Sequence, residues 1–178
     1  MKPLVIVAHP NLTESRFNQT LYKAVVEHPD ITTRVLYEAY PDWKIDVAHE
    51  QALLEAHDRI ILQFPLYWYS TPPMLKLWED EVLTYGWAYG SKGKALHGKE
   101  LMLALSIGGG LEAYRAGDIV KYTLSELLRP LQASAEFCGM TYLPIFPVAG
   151  TLSDEALAAR AEEYVKTILE PWDSSFDI

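Results

Sequence analysis

Three apolar runs constrain this chain more than anything else in it. Residues 4–8 (Leu-Val-Ile-Val-Ala), 58–64 around Ile60-Ile61-Leu62, and 101–107 are strand-length and rich in branched or aliphatic side chains. None alternates polar with apolar. A strand with one wet face alternates, whereas a strand covered on both faces reads as a continuous apolar run. The three runs therefore predict central parallel strands with helices above and below. Parallel neighbours need crossovers, and helical stripes stand between the runs.

The first stripe is Phe17, Leu21, Ala24 and Val25, with Ser15 placed to cap it. A second strand is expected over 32–37. A helix follows over 47–56, with Ala48, Leu53 and Leu54 inward. After Pro73, Leu75, Leu77, Trp78 and Val82 mark another helix. A longer one is expected from about 119 to 138, kinked at Pro130. A fifth strand over 141–148 contains Pro144 and Pro147, which places it at an edge. Ser153 caps a last helix that ends near Leu169, before Pro171. Five strands alternating with five helices predict an α/β three-layer sandwich. Its five-stranded parallel sheet takes the flavodoxin-like order 2-1-3-4-5. Residues 1–170 are expected to be one domain and residues 171–178 a loose tail.

Charge and cysteine content narrow the function classes. Fifteen basic against 24 acidic residues give a net charge of −9. That surface argues against non-specific nucleic-acid binding and against adsorption to anionic lipid. No apolar run approaches the ~20 residues of a membrane span. Cys138 is the only cysteine, so no intrachain disulfide or thiolate metal cluster can form. A reducing cytoplasm suits that composition. No His, Asp and Glu cluster has metal spacing, so no metal is expected. His28, His49, His57 and His97 fall on expected surface elements and receive no role.

In an open parallel sheet, ligands sit beyond the carboxyl ends of the strands. The loops there after strands one, three and four carry unusual residues. After strand one come His9, Ser15, Phe17 and Asn18, at a helix start whose N–H groups and dipole attract an anion. Ser15 is also explained as a simple cap, and both roles can hold together. His9 can supply a donor or a positive charge. After strand three comes Pro65-Leu66-Tyr67-Trp68-Tyr69-Ser70-Thr71-Pro72-Pro73. Its prolines stiffen the turn. Its aromatics form either a floor for a flat ligand or a plug at the core's edge. After strand four, Ser106-Ile107-Gly108-Gly109-Gly110 lets a backbone approach a ligand, or is only a flexible turn. Tyr114 adds a hydroxyl nearby. Residues 85–94, rich in glycine and aromatics, suit a binding or subunit-interface role better than a passive connection. No P-loop and no G-x-G-x-x-G occur.

Taken in order, the motifs resemble one family. They are His9-Pro10 with Ser15-x-x-Asn18, Phe64-Pro65-Leu66-x-Trp68-Tyr69 with Pro73-x-Leu75-Lys76-x-Trp78, Gly86-x-Ala88-Tyr89-Gly90, and Gly108-Gly109 with Tyr114. The set is similar to the NAD(P)H:quinone oxidoreductase (DT-diaphorase-like) family. Leu36-Tyr37, Tyr40-Pro41-Asp42, Ile45-Asp46 and Glu50-Gln51 add a pattern of its short bacterial branch. That branch comprises the ancillary flavoproteins of glutathione-regulated potassium-efflux systems.

The resemblance implies a homodimer binding FMN, favoured over FAD because the chain lacks the long C-terminal extension of the FAD-using members. It implies that His9, Ser15, Phe17 and Asn18 hold the phosphate end. Pro65, Leu66, Tyr67, Trp68 and Tyr69 would line the ring system. Ser106, Ile107, Gly108 and Gly109 would bond its polar edge, with Tyr114 beside it as the candidate catalytic hydroxyl. NAD(P)H and a quinone would use one flavin face in turn, a ping-pong scheme of two-electron hydride transfer. A membrane potassium-efflux transporter is the implied partner. Such a partner would place the protein at the inner face of the cell membrane, either as an active reductase or as a regulatory flavoprotein with little turnover. One departure is plain. Many members have a His about six residues after this Tyr, but Arg115-Ala116-Gly117-Asp118-Ile119-Val120-Lys121-Tyr122 has none. A Tyr–His proton relay cannot be carried over, and Tyr122 or Lys121 are the candidate substitutes.

Overall fold

A computed structural model describes residues 1–172. Strands β1 (Pro3–Val7), β2 (Thr32–Val35), β3 (Arg59–Pro65), β4 (Glu100–Ile107), β5 (Thr141–Tyr142) and β6 (Phe146–Ala149) form one parallel sheet. Its order is β2-β1-β3-β4-β5, with β6 also pairing to β4. The helices are α1 (Arg16–Val26), α2 (Leu36–Ala39), α3 (Val47–Ala56), α4 (Pro73–Val82), α5 (Leu124–Leu127), α6 (Arg129–Phe137) and α7 (Asp154–Leu169).

The apolar runs behave as buried parallel strands should. Successive side chains of a strand point to opposite faces. On one face Leu4, Ile6, Ile60, Leu62, Phe64, Leu103 and Leu105 pack with Leu54, Trp78 and Leu131 of α3, α4 and α6. On the other, Val5, Val7, Ile61, Met102 and Ala104 pack with Leu21 and Val25 of α1 and Leu157 and Tyr164 of α7. That arrangement is the expected three-layer sandwich.

Several boundaries differ from the sequence reading, each for a local reason. The second strand stops at Val35. The chain then turns into α2, closed by the Tyr40 amide donating to Leu36 O at 2.9 Å. Leu36 and the Tyr40 ring are buried by that turn. The long helix expected from 119 does not form as one piece. Asp118 Oδ1 takes the Ile119 amide, Lys121 has φ +68°, and the Thr123–Glu126 capping box starts α5 only at Leu124. Leu128 then breaks the rod, and Pro130 lies in the first turn of α6, where its missing N–H costs nothing. The fifth strand is two pieces separated at Leu143-Pro144-Ile145. Both lie at the sheet's edge, as the prolines required. Among the described residues there are therefore seven α-helices rather than five, besides two short 3-10 turns at Leu12–Glu14 and Leu111–Ala113. In α3, Ala48 is exposed and Glu50 is the buried residue instead. His57 is buried too, with Nδ1 2.6 Å from Leu53 O and Nε2 2.8 Å from Thr32 Oγ1. The expected loose tail lies, from residue 173 on, outside the described residues.

Residues 85–95 fold into a compact loop. The Gly86 amide donates to Tyr89 O, and Trp87 Nε1 donates to Glu55 Oε1 at 2.6 Å. Gly93 is fixed by sterics. A β-carbon there would overlap the Tyr89 carbonyl and come within 2.5 Å of the Tyr89 amide nitrogen. The Gly93→Ala variant is expected to lose about 1–3 kcal/mol, as overpacked positions do. Thermal unfolding should show a fall of about 2–4 °C per kcal/mol. An unchanged melting temperature would show that the loop simply shifts.

Candidate functional site

The order β2-β1-β3-β4 puts the carboxyl ends of β1, β3 and β4 side by side. The register aligns Val7 with Gln63 and Pro65 with Ser106. The loops that carry the unusual residues therefore meet on one rim. The Leu66 amide donates to Ser106 O at 2.9 Å, and Asn18 Nδ2 donates to Ser106 Oγ at 2.9 Å. The His9 and Tyr67 rings meet edge-on at 6.3 Å.

The turn after β3 is the most unusual part of the rim. The Tyr67 amide donates to Ser70 O and the Ser70 amide to Tyr67 O, both at 3.0 Å. Between them Trp68 has φ +47° and Tyr69 φ +63°. Two central residues in the left-handed region define a type I′ turn, which ordinarily selects Asn-Gly. Here it holds two large aromatics. The Trp68 side chain is 93% exposed. Tyr67 and Tyr69 are exposed as well. The core-plug explanation therefore fails, and the aromatics stand on the surface as a shelf.

The α1 end of the rim is built around Ser15 and Asn18. Ser15 caps the helix, its Oγ accepting from the Asn18 amide at 3.2 Å. Asn18 is fully buried, and its Oδ1 has no partner among the described residues. Phe17 is half-buried, packs against the core under α1 and lies beneath the Arg16 guanidinium. His9 Nδ1 accepts from the Asn11 amide at 3.1 Å. Burial lowers the His9 pKa below its usual value. The ring is thus neutral near pH 7, with Nε2 as its donor, so of the two roles expected for His9 the structure favours the donor.

The third side of the rim is glycine backbone. A β-carbon on Gly108 or Gly109 would meet nothing within 4 Å, so this backbone edge is open. Gly109 has φ +73°, and its carbonyl is held by the Gly150 amide at 2.8 Å. Ile107 and Pro65 are buried, so they offer main chain rather than side chain. Tyr114 Oη donates to Gly108 O at a long 3.4 Å. Burial first, and the neighbouring Tyr69 second, hold its pKa above the usual value, so the hydroxyl stays a donor. Among the described residues neither Lys121 nor Tyr122 bonds to Tyr114, and both are exposed. Gly150 was missed by sequence reasoning because nothing local marks a bond from the chain after β6.

With that geometry in place, comparison with known proteins decides the family. Residues 1–170 match Flavodoxin_2, described by a flavodoxin-like fold. The chain belongs to this family. It is 53% identical over 170 residues to the uncharacterized NAD(P)H oxidoreductase YdeQ of Bacillus subtilis (strain 168), covering 94% of this chain and 86% of that one. It is 43% identical to the glutathione-regulated potassium-efflux system ancillary protein KefF of Klebsiella aerogenes, over 94% of each. Among solved structures, general stress protein 14 from Treponema denticola in complex with FMN superposes with TM-score 0.91 at 44% identity, covering 94% and 98% of the two chains. An NADPH-quinone reductase from P. pentosaceus gives 0.89 at 38%, covering 97% and 100%. A chain named as a thermophilic tryptophan halogenase from "Streptomycin violaceusniger" gives 0.92 at 50%, covering 95% and 99%. Its name stands apart from the oxidoreductase names, while its fold agrees.

Proposed function

We propose that this protein is an FMN-dependent NAD(P)H:quinone oxidoreductase. The observation that carries the reading is the exposed Trp68-Tyr69 turn. Backbone strain of this kind clusters at ligand-binding and active sites. The residues present fit FMN in three ways. The α1 start offers main-chain N–H groups to an anion. The open Gly108-Gly109 backbone can bond a heterocycle edge, and the shelf can stack on a flat ring. Oxidoreductase names among 38–53% identical relatives, and FMN in the Treponema neighbour, support the same reading.

When bound, the flavin supplies the two-electron chemistry, taking hydride from NAD(P)H and reducing a quinone in turn. The chain's own residues bind and orient it. His9, Ser15, Phe17 and Asn18 hold the phosphate end, with His9 and Ser15 as neutral partners. Pro65, Leu66, Tyr67, Trp68 and Tyr69 line the ring. Ser106, Ile107, Gly108 and Gly109 bond its polar edge. Tyr114, kept protonated, donates a hydrogen bond at the acceptor's oxygen. The exposed shelf would remain open to NAD(P)H and a quinone, binding in turn, and a second copy of the chain would close it in a homodimer.

The test is steady-state oxidation of NADH and NADPH by FMN-reconstituted protein, with and without a soluble quinone. Quinone-dependent turnover supports the reading. Bound flavin without turnover on any quinone overturns it. The match to KefF over 94% of both chains then favours a second reading, a regulatory flavoprotein on a potassium-efflux transporter. The absence of the relay His favours the same alternative.

A further inference from the structure

A buried polar chain runs beneath the rim on the α1/α7 face of the sheet. Tyr164 of α7, fully buried, donates from Oη to Gln63 Oε1 at 3.2 Å. Gln63, fully buried in β3, donates from Nε2 to the Asn18 carbonyl at 2.8 Å. Asn18 donates from Nδ2 to Ser106 Oγ, and its amide is held by Ser15 Oγ. Three elements far apart in sequence therefore meet on Asn18, in the first turn of α1.

From this chain we infer that Tyr164 and Gln63 are positioning residues that hold the start of α1 in register for the flavin phosphate. The inference rests on the flavin reading above. A glutamine amide has two faces that differ only in which atom donates. Flipped, Gln63 would set its oxygen against the Asn18 carbonyl oxygen, acceptor against acceptor. The Asn18 carbonyl, which can only accept, therefore fixes the amide with Nε2 toward α1, and the Tyr164 hydroxyl adds a donor to the Oε1 left on the other side. Burial holds the Tyr164 pKa far above its usual value, so the donor is always present. The Gln63 main chain is fixed as well, its carbonyl taking the Ala8 amide at 2.8 Å. The Asn18 carbonyl is thus tied to the sheet rather than only to its own helix. Elsewhere α1 is tied to the start of α7 by Arg16, which donates to Leu152 O and Asp154 Oδ1. That second tie leaves the helix attached when the Gln63 bond is removed, so the effect of Gln63 is on placement.

A general loosening of the fold would weaken every flavin equally, whereas misplacing α1 would weaken only the phosphate contact. The experiment compares FMN with riboflavin, which lacks the phosphate, binding to Tyr164→Phe, Gln63→Met and the double variant by flavin fluorescence. Each single variant is expected to lose about 5- to 10-fold in FMN affinity, the size of one hydrogen bond. Riboflavin affinity should stay within about 2-fold, and the double variant should be no worse than Gln63→Met alone. Equal weakening of both flavins, or no weakening of FMN, would overturn the inference while leaving the flavin reading intact. Failure of the unmodified protein to bind FMN would overturn the flavin reading itself.

Discussion

Replacing Glu50 with alanine is expected to remove about 3–5 kcal/mol of folding stability, the range for breaking a buried pair by deleting one partner. Glu50 is fully buried in α3. Its Oε1 accepts from Arg34 Nε at 2.9 Å and from the Tyr40 hydroxyl at 2.7 Å. Its Oε2 accepts from Trp78 Nε1 at 2.9 Å. Both oxygens are thus satisfied by donors from β2, the segment after α2, and α4. Alanine would leave a guanidinium, a phenol and an indole N–H without their acceptor. Arg34 is partly exposed and can turn to water, but Tyr40 and Trp78 are buried and cannot. Tyr40→Phe is the comparison. It removes one donor to Glu50 and the acceptor of Arg34 Nη2, which is partly exposed and can turn to water, and leaves the Arg34 and Trp78 bonds to Glu50, so it should cost only about 1 kcal/mol. Urea unfolding of both variants checks the difference. A Glu50→Ala loss as small as that of Tyr40→Phe would mean the network collapses without penalty.

The same network shows what a single sequence does and does not disclose. The three apolar runs read correctly because burial on two faces leaves an unbroken apolar stretch that the chain must carry itself. The loops of the rim were legible for the same kind of reason, since Ser15, Trp68-Tyr69 and Gly108-Gly109 are chemically odd where they stand. The resemblance marks Glu50, but its burial and its partners were not legible. In α3 it is one acid among polar neighbours, and its partners lie 16 residues upstream in β2 and 28 downstream in α4. Gln63 interrupts an apolar run and so stands out, but its partner Tyr164 lies 101 residues away and does not break the pattern of its own helix. The burial of His57, at the end of α3, was not legible because its partner, Thr32, lies 25 residues upstream at the start of β2. The boundaries that slipped, at Val35, Leu124 and Pro144, were decided by single capping or proline contacts that compete with a longer apolar pattern. The turn's aromatics were marked by sequence, but their backbone strain was not, because no residue type there signals a positive φ.

That strain gives the second large expected effect. A left-handed conformation costs an L-residue with a β-carbon about 1–2 kcal/mol, and the turn holds two of them, at Trp68 and Tyr69. Little packing offsets this, since the Trp68 side chain is 93% exposed. The double variant W68N/Y69G supplies the pair that a type I′ turn prefers. Its cofactor-free form should therefore be more stable than the parent by about 1–2 kcal/mol, seen as a higher urea midpoint with an unchanged slope. The same variant loses the two aromatic faces of the shelf, so FMN affinity should fall by about tenfold or more, as expected for a lost aromatic contact and its buried area. The two results together discriminate between roles. Aromatics kept for folding would make the variant less stable. Aromatics kept for nothing would make it more stable with FMN affinity unchanged. Only a turn strained for the sake of a ligand gives gained stability with lost binding, the usual trade between an active site and the fold that holds it.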